Sequence, residues 1–171
     1  MSLLFLIIAL SFVGLLGIAA LVMFISVFVG VPFVPTHRKQ AHTMITLAGI
    51  RSGTKVIDLG SGAGRLLFLA AAHGAQAVGY ELNPLLYIWT KIMIVLKGLS
   101  GRVEVRFQSL YHADVRQADV VVAFLFPKPM ERLGPKLFAE LPPGARIVSY
   151  AFPIPGHEPV LKQEGIFVYE V

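Results

Sequence analysis

A doubly wound, mostly parallel α/β sheet preceded by one N-terminal transmembrane helix is the fold class this sequence predicts. Three observations lead to it. From Leu3 to Val29 no residue is charged. From Lys55 to Ala72 an apolar strand runs into a turn with glycines at 60, 62 and 64 and then into an unbroken helical stretch. Beyond it, short β-rich runs near 55–59, 77–81, 103–107, 119–126 and 146–152 alternate with helical stretches, the pattern of parallel strands joined by crossover helices. A chain of 171 residues has room for one folded domain and an appendage. The expected division is an anchor over 1–30, a linker and leading helix over 31–52, and the sheet domain over 53–171.

A helix over the uncharged run would be about 40 Å long at 1.5 Å per residue, which exceeds the roughly 30 Å hydrocarbon core of a bilayer. It can therefore span, with tilt. A cleaved secretory signal would carry a basic leader, a short apolar core and a small-x-small cleavage site. Here only Met1 and Ser2 precede the run, and Gly17, Ala19 and Ala20 sit in its middle with Leu21 to Ile25 still to come. The segment reads as an uncleaved anchor. Ser11, Gly14 and Gly17 recur every three residues and offer a close-packing face, without a G-x-x-x-G. The first cationic residues are Arg38 and Lys39, just after the run, so the C-terminal side faces the cytoplasm, or the matrix in an organelle.

Composition agrees with a membrane setting. A mean hydropathy of +0.72 is too high for an ordinary soluble domain, and a net charge of +5 with a pI near 9.7 suits a domain held against anionic headgroups. The 15 Lys and Arg are scattered singly or in one pair, without the basic stripe of a nucleic-acid binder. There is no cysteine, and the five histidines stand alone with no H-E-x-x-H, so no metal site is expected.

Gly30 to Pro35 breaks the first helix and makes a short extended linker, and Thr36 is placed to cap a second helix running to about Ala48. Val56, Ile57 and Leu59 then fill a buried strand, and the glycine turn delivers backbone N–H groups at the N-terminus of the helix from Leu66 to Ala72. Such a place suits a polar or anionic ligand. The spacing is not the dinucleotide G-x-G-x-x-G, and no Gly-Lys-Ser/Thr of a P-loop follows. Asp58 to Gly64 reads D-x-G-x-G-x-G, which resembles motif I of the class I S-adenosylmethionine (SAM) dependent methyltransferases. That resemblance implies the Rossmann-like fold of those enzymes and SAM as cofactor. It also implies that Gly60, Ser61, Gly62 and Gly64 lie against the cofactor, with Asp58 holding the loop and the amino-acid end.

The next strand, Ala77 to Tyr80, ends in Glu81, an acid placed to accept hydrogen bonds from a ribose diol. Asn83 and Pro84 start the following helix as N-cap and first helical residue, and Asn83 is counted with the cofactor residues. That helix carries Tyr87, Trp89 and Met93, read as packing residues. Val103, Val105 and Phe107 alternate as the third strand. P-F-V-P-T, D-L-G-S-G-x-G-R, G-Y-E-L-N-P and F-P-x-P-M together are similar to the membrane-associated lysine methyltransferases. These include the mitochondrial enzymes acting on the adenine nucleotide translocase and on the ATP synthase c subunit, with prokaryotic relatives. The chain departs from the family pattern at Ala63, where an acid is usual, and after strand three, where no acid occurs before Asp114. Gln108 and Ser109 are the candidates for holding adenine instead.

Ala118 to Phe126 is the most apolar strand and leads to Pro127-Lys128-Pro129-Met130, with a helix from Met130 to Glu140 after it. In open parallel sheets ligands sit beyond the carboxyl ends of the strands. The family motif maps onto Phe124 to Met130, and Phe126 and Pro127 are the candidate catalytic residues, lining a lysine channel with Phe124 and Tyr111. A strand from Arg146 to Phe152, a Pro-rich loop from Pro153 to Pro159 that could cover the site, and a last strand from Gly165 to Val171 complete the chain. The reading is a SAM-dependent methyltransferase that N-methylates lysine in a membrane protein. A methyltransferase for a lipid or other membrane-dissolved small molecule, and a non-catalytic SAM-binding module, remain open as alternatives.

Overall fold

The computed structural model describes residues 3–28 and 36–171, with side chains left out at Ala19 and over 22–28. The linker expected over Gly30 to Pro35 lies outside the described residues. Helix α1 covers Leu3–Phe28, and its described side chains are mostly exposed. Among the described residues no helix is long and apolar enough to cross a membrane.

Helix α2 (Arg38–Leu47) starts one residue later than a Thr36 cap would place it, with His37 at the N-cap. Thr36 has another task, since its carbonyl accepts from Arg65 Nη1. Strands β1 (Lys55–Leu59), β2 (Gln76–Glu81), β3 (Val103–Phe107), β4 (Val120–Ala123) and β5 (Arg146–Tyr150) run parallel in the order β3-β2-β1-β4-β5. Helices α3 (Arg65–Ala72), α4 (Pro84–Leu96) and α5 (Pro127–Glu140) make crossovers, and a 3-10 turn at Leu110–His112 follows β3. The doubly wound arrangement is as the alternation predicts. At the far edge the sheet turns antiparallel: β7 (Ile166–Glu170) pairs with β5, and β6 (Leu161–Gln163) pairs with β7. The short β6, exposed at all three residues, carries too little pattern to be read from sequence.

Two cores form on the two sides of the sheet, because successive side chains of each strand point to opposite faces. Val56, Val120, Val122 and Val148 face α2 and α3, together with Ala41, Met44 and Ile45 of α2. Ile57, Leu59, Val121 and Ile147 face α5, where Met130, Leu133 and Leu137 are completely buried.

The fourth strand ends earlier than expected, at Ala123, because Phe124 to Phe126 leave the ladder to feed α5. The helix correspondingly begins at Pro127, three residues before Met130, with Phe126 as N-cap. A proline at the first helical position sacrifices no hydrogen bond, since that N–H has no partner within the helix anyway. The packing role read for the α4 aromatics holds only in part. Tyr87 packs at a tilt against Phe107 with ring centres 5.3 Å apart, whereas Trp89 is exposed.

Candidate active site

The site is assembled at the carboxyl ends of β1, β2 and β4, where strand order reverses between β1 and β4. The glycine turn is held by three residues on two elements, Tyr80 and Glu81 of β2 and Thr90 of α4. Gly60 N and Ser61 N both donate to the Tyr80 carbonyl on β2, at 3.0 and 3.1 Å. Gly62 N donates to Glu81 Oε2 at 2.8 Å, and the Gly62 carbonyl accepts from Thr90 Oγ1 of α4 at 3.0 Å. Gly60, Gly62 and Gly64 all have positive φ, a path other residues take only with strain. Gly79 is required for a different reason: a Cβ there would lie 2.6 Å from Ser61 Oγ and 2.7 Å from Leu67. The Ser61 side chain thus packs against β2, and its buried Oγ makes no hydrogen bond among the described residues.

Glu81 is fixed from two sides, Oε2 by Gly62 N and Oε1 by Asn83 N at 2.7 Å. A carboxylate has about four acceptor positions, so two remain for a ligand. Asn83 is the helix cap the sequence implies: its Oδ1 accepts from Leu85 N and Leu86 N at 3.0 and 3.2 Å. Its own N–H orients Glu81.

Asp58 stands on the α3 side of β1, opposite Gly79 in register, and is 3% exposed. Burial, and secondarily the nearby Glu81 charge, push its carboxyl from the ordinary 3.8 up to about 8. A cationic ligand group beside it would offset that cost.

After β3, Gln108 Nε2 donates to the His112 carbonyl at 3.0 Å, which anchors the 3-10 turn and leaves the carboxamide oxygen as an acceptor. Ser109 is the N-cap residue of that turn, with no side-chain capping bond. The Tyr80 hydroxyl accepts from Asp114 N and Arg106 Nη1 at 3.2 and 3.1 Å, tying the same loop to β2.

The other wall is aromatic. Phe126 at the start of α5 faces Phe152 with ring centres 5.7 Å apart, and Phe124 faces Tyr150 at 4.8 Å. Tyr111 lies under the Arg132 guanidinium at 4.1 Å, on the α5 side. Between Phe124 and Met130 the one ionisable side chain is Lys128. The Pro-rich loop is pinned to α5 and β7: Ile154 is buried against Gly134, its N–H donates to the Tyr169 hydroxyl at 2.9 Å, and His157 stacks on Phe138 at 3.6 Å.

Sequence reasoning missed Thr90 and Arg65 as supports of the glycine turn. Thr90 could have been noticed as the one threonine or serine in a largely apolar helical run, seven residues after Asn83 and hence on nearly the same face. Arg65 to Thr36 offers no such signal, since it joins segments 29 residues apart.

Comparison with known proteins accords with this geometry. Residues 58–161 match the model of the ANTKMT methyltransferase domain. The adenine nucleotide translocase lysine N-methyltransferase of Mus musculus is 39% identical over 131 residues, covering 76% of this chain and 57% of that one. A protein-lysine N-methyltransferase of Saccharolobus islandicus is 37% identical over 138 residues, 78% of this chain and 86% of the relative. A crystal structure from Salinibacter ruber, described as an RNA methyltransferase in complex with S-adenosyl-L-homocysteine, superposes with a TM-score of 0.74 at 36% identity. It covers 80% of this chain and 91% of the other. The chain spans only a little over half the length of the mouse relatives it matches. A glycine turn braced by Glu81 and Thr90 at the switch point of a 3-2-1-4-5 sheet, within a matched stretch that runs from Asp58 to Leu161, places the chain in the ANTKMT methyltransferase domain family.

Proposed function

We propose that this protein is a SAM-dependent methyltransferase, anchored in a membrane by a single span through α1, that N-methylates lysine in a membrane protein. The observation that carries the reading is the pairing of a braced, acid-tipped nucleotide-type site with an aromatic wall that offers no carboxylate or histidine. SAM supplies an electrophilic methyl group on a sulfonium. The residues fit that cofactor: Glu81 keeps two acceptor positions for a ribose diol, buried Asp58 would be relieved by a cationic amino end, and the Gln108 carboxamide oxygen and the Ser109 hydroxyl are the groups this reading assigns to the adenine end. Ser61 fits only through the loop it helps to pack.

At the wall, the target amine has to arrive neutral, with its proton given up to water before entry. Phe124, Phe126, Phe152 and Pro127 favour the neutral form by withholding solvent, which lowers an amine's pKa. What remains is alignment, which proximity and orientation supply without a dedicated base.

The membrane part rests on the uncharged run from Leu3 to Val29 and on Arg38 and Lys39 beyond it, which put the catalytic domain on the cytoplasmic or matrix side. The six-residue linker from Gly30 to Pro35 reaches about 20 Å at most, at roughly 3.3 Å per residue. Thr36 is in turn bonded to Arg65 beside the glycine turn. The site is thereby confined near the bilayer surface, where a lysine in a short loop between two transmembrane helices is met at high effective concentration.

The test is mass spectrometry of membrane proteins from cells with and without the gene, with purified full-length protein and labelled SAM in parallel. A methyl mark on lysine of a membrane protein is the expected result. Label in lipid, in a soluble protein or in RNA, or SAM binding without any transfer, would overturn it in favour of the corresponding alternative.

A further inference from the structure

Helix α4 is apolar on the wrong side for a helix that covers a sheet in water. Thr90 and Ile94 form its buried face. The opposite face, which should be polar, presents Leu85, Ile88, Trp89, Ile92, Val95 and Leu96, at i, i+3, i+4, i+7, i+10 and i+11. These side chains stand open, with Trp89 52%, Ile92 49% and Leu96 74% exposed. Phe107 at the end of β3 and Leu82 before the helix extend the patch. Contiguous apolar surface of this kind marks an interaction site rather than ordinary scatter.

We propose that the outer face of α4 is a lipid-docking surface that lies in the interfacial layer of the bilayer and seats the domain on it. The proposal deepens the membrane reading above and rests on it in part. Three observations choose lipid over a second copy or a protein partner. Helix α4 is in contact with α1, so the patch is continuous with the exposed apolar surface of that helix. The stripe itself contains no hydrogen-bonding side chain except the Trp89 indole, an amphipathic ring of the kind that settles at the headgroup level.

Charge is the third. Helix α4 has no Asp or Glu, and exposed Lys91 and Lys97, with their ammonium groups over the Tyr87 and Phe68 rings, give the helix a positive charge that anionic headgroups would favour. The acid beside them, Glu104, is already paired with Arg106. Through Thr90 and Gly62 the same helix braces the glycine turn, so docking α4 on lipid also fixes the height of the site above the membrane.

Trp89 is the single tryptophan of the chain and reports directly on the claim. Full-length protein is reconstituted in mixed phosphatidylcholine and phosphatidylserine vesicles, with bromine on the lipid either high or deep in the acyl chains. The expected result is blue-shifted Trp89 emission, protected from aqueous acrylamide and quenched more by the shallow bromine than by the deep one. In Ile88→Lys/Ile92→Lys the bromolipid quenching should be lost while SAM affinity, measured by calorimetry, is kept.

Emission open to acrylamide and indifferent to bromolipid overturns the proposal. So does blue-shifted emission that ignores bromolipid but varies with protein-to-lipid ratio, which indicates a protein on the patch. Undiminished quenching in the double variant overturns it as well. Carbonate washing of the same vesicles separates the two claims: release with Trp89 quenched before the wash supports α4 docking and sinks the span. Retention with Trp89 in water sinks the docking and leaves the span standing.

Discussion

Around the glycine turn every change of direction is held by a directional bond to a named partner, whereas the wall at the end of β4 is held by ring against ring. Gly60, Ser61 and Gly62 are fixed by the Tyr80 carbonyl, Glu81 and Thr90, all on neighbouring elements. Phe124 and Phe126 meet Tyr150 and Phe152 at tilted angles, with no hydrogen bond required. On the proposed function, the difference follows from what each half has to recognise. A ribose diol and an amino-acid end present fixed donors and acceptors, so their half is built from preset backbone groups. An aliphatic amine is better handled by exclusion of water, and packed rings supply it with some freedom to adjust.

The sharpest way to break that contrast is to put a polar, charged group into the aromatic half. Pro127→Arg keeps a helix start that tolerates most residues, so SAM binding by calorimetry should be unchanged while turnover disappears. If cofactor affinity falls in step with turnover, the two halves are not separable in the way described.

Next in size is Glu81→Ala. It removes the ligand's acceptor and also strands Gly62 N and Asn83 N, so SAM binding should weaken by about 3 kcal/mol, on the order of 100-fold. Wild-type affinity in that variant would remove Glu81 from the site.

Asp58 sharpens the comparison by pH. Its folded pKa is raised, so its contribution is fully present below about 4 and is lost as pH rises towards about 8, where the folded protein finally gives up the proton. Over that window the wild type should lose up to about 1.4 kcal/mol per pH unit relative to Asp58→Asn. Denaturant melts of both proteins at several pH values measure this, and parallel curves would mean that Asp58 ionises freely.

The smallest effect is expected for Thr90→Val, which loses one neutral hydrogen bond to the Gly62 carbonyl at conserved shape. About 1 kcal/mol, or several-fold in SAM affinity, is the expected cost. Loss of a hundredfold would mean that α4 does more than brace the turn.

How much could be read beforehand depended on the range of the interaction. The glycine turn, the Asn83 cap, Pro84 at the helix start and the alternation of strands with helices are local statements. Backbone sterics and hydrogen bonds within a few residues enforce them, and those residues stood side by side in the sequence. The uncharged run before Arg38 is equally local. Tertiary structure alone decided the rest. Trp89 turned outward because Thr90 and Ile94 took the sheet side of α4, a choice that periodicity could not make in a helix with apolar residues on both faces. The antiparallel β6 and β7, the early end of β4 and the burial of Asp58 likewise depend on which strand lies alongside. So does the bond between Arg65 and Thr36, 29 residues apart, which fastens the chain beyond the linker beside the glycine turn. Such contacts join residues tens of positions apart, so their energy belongs to the packed arrangement and leaves no mark in a local window of sequence.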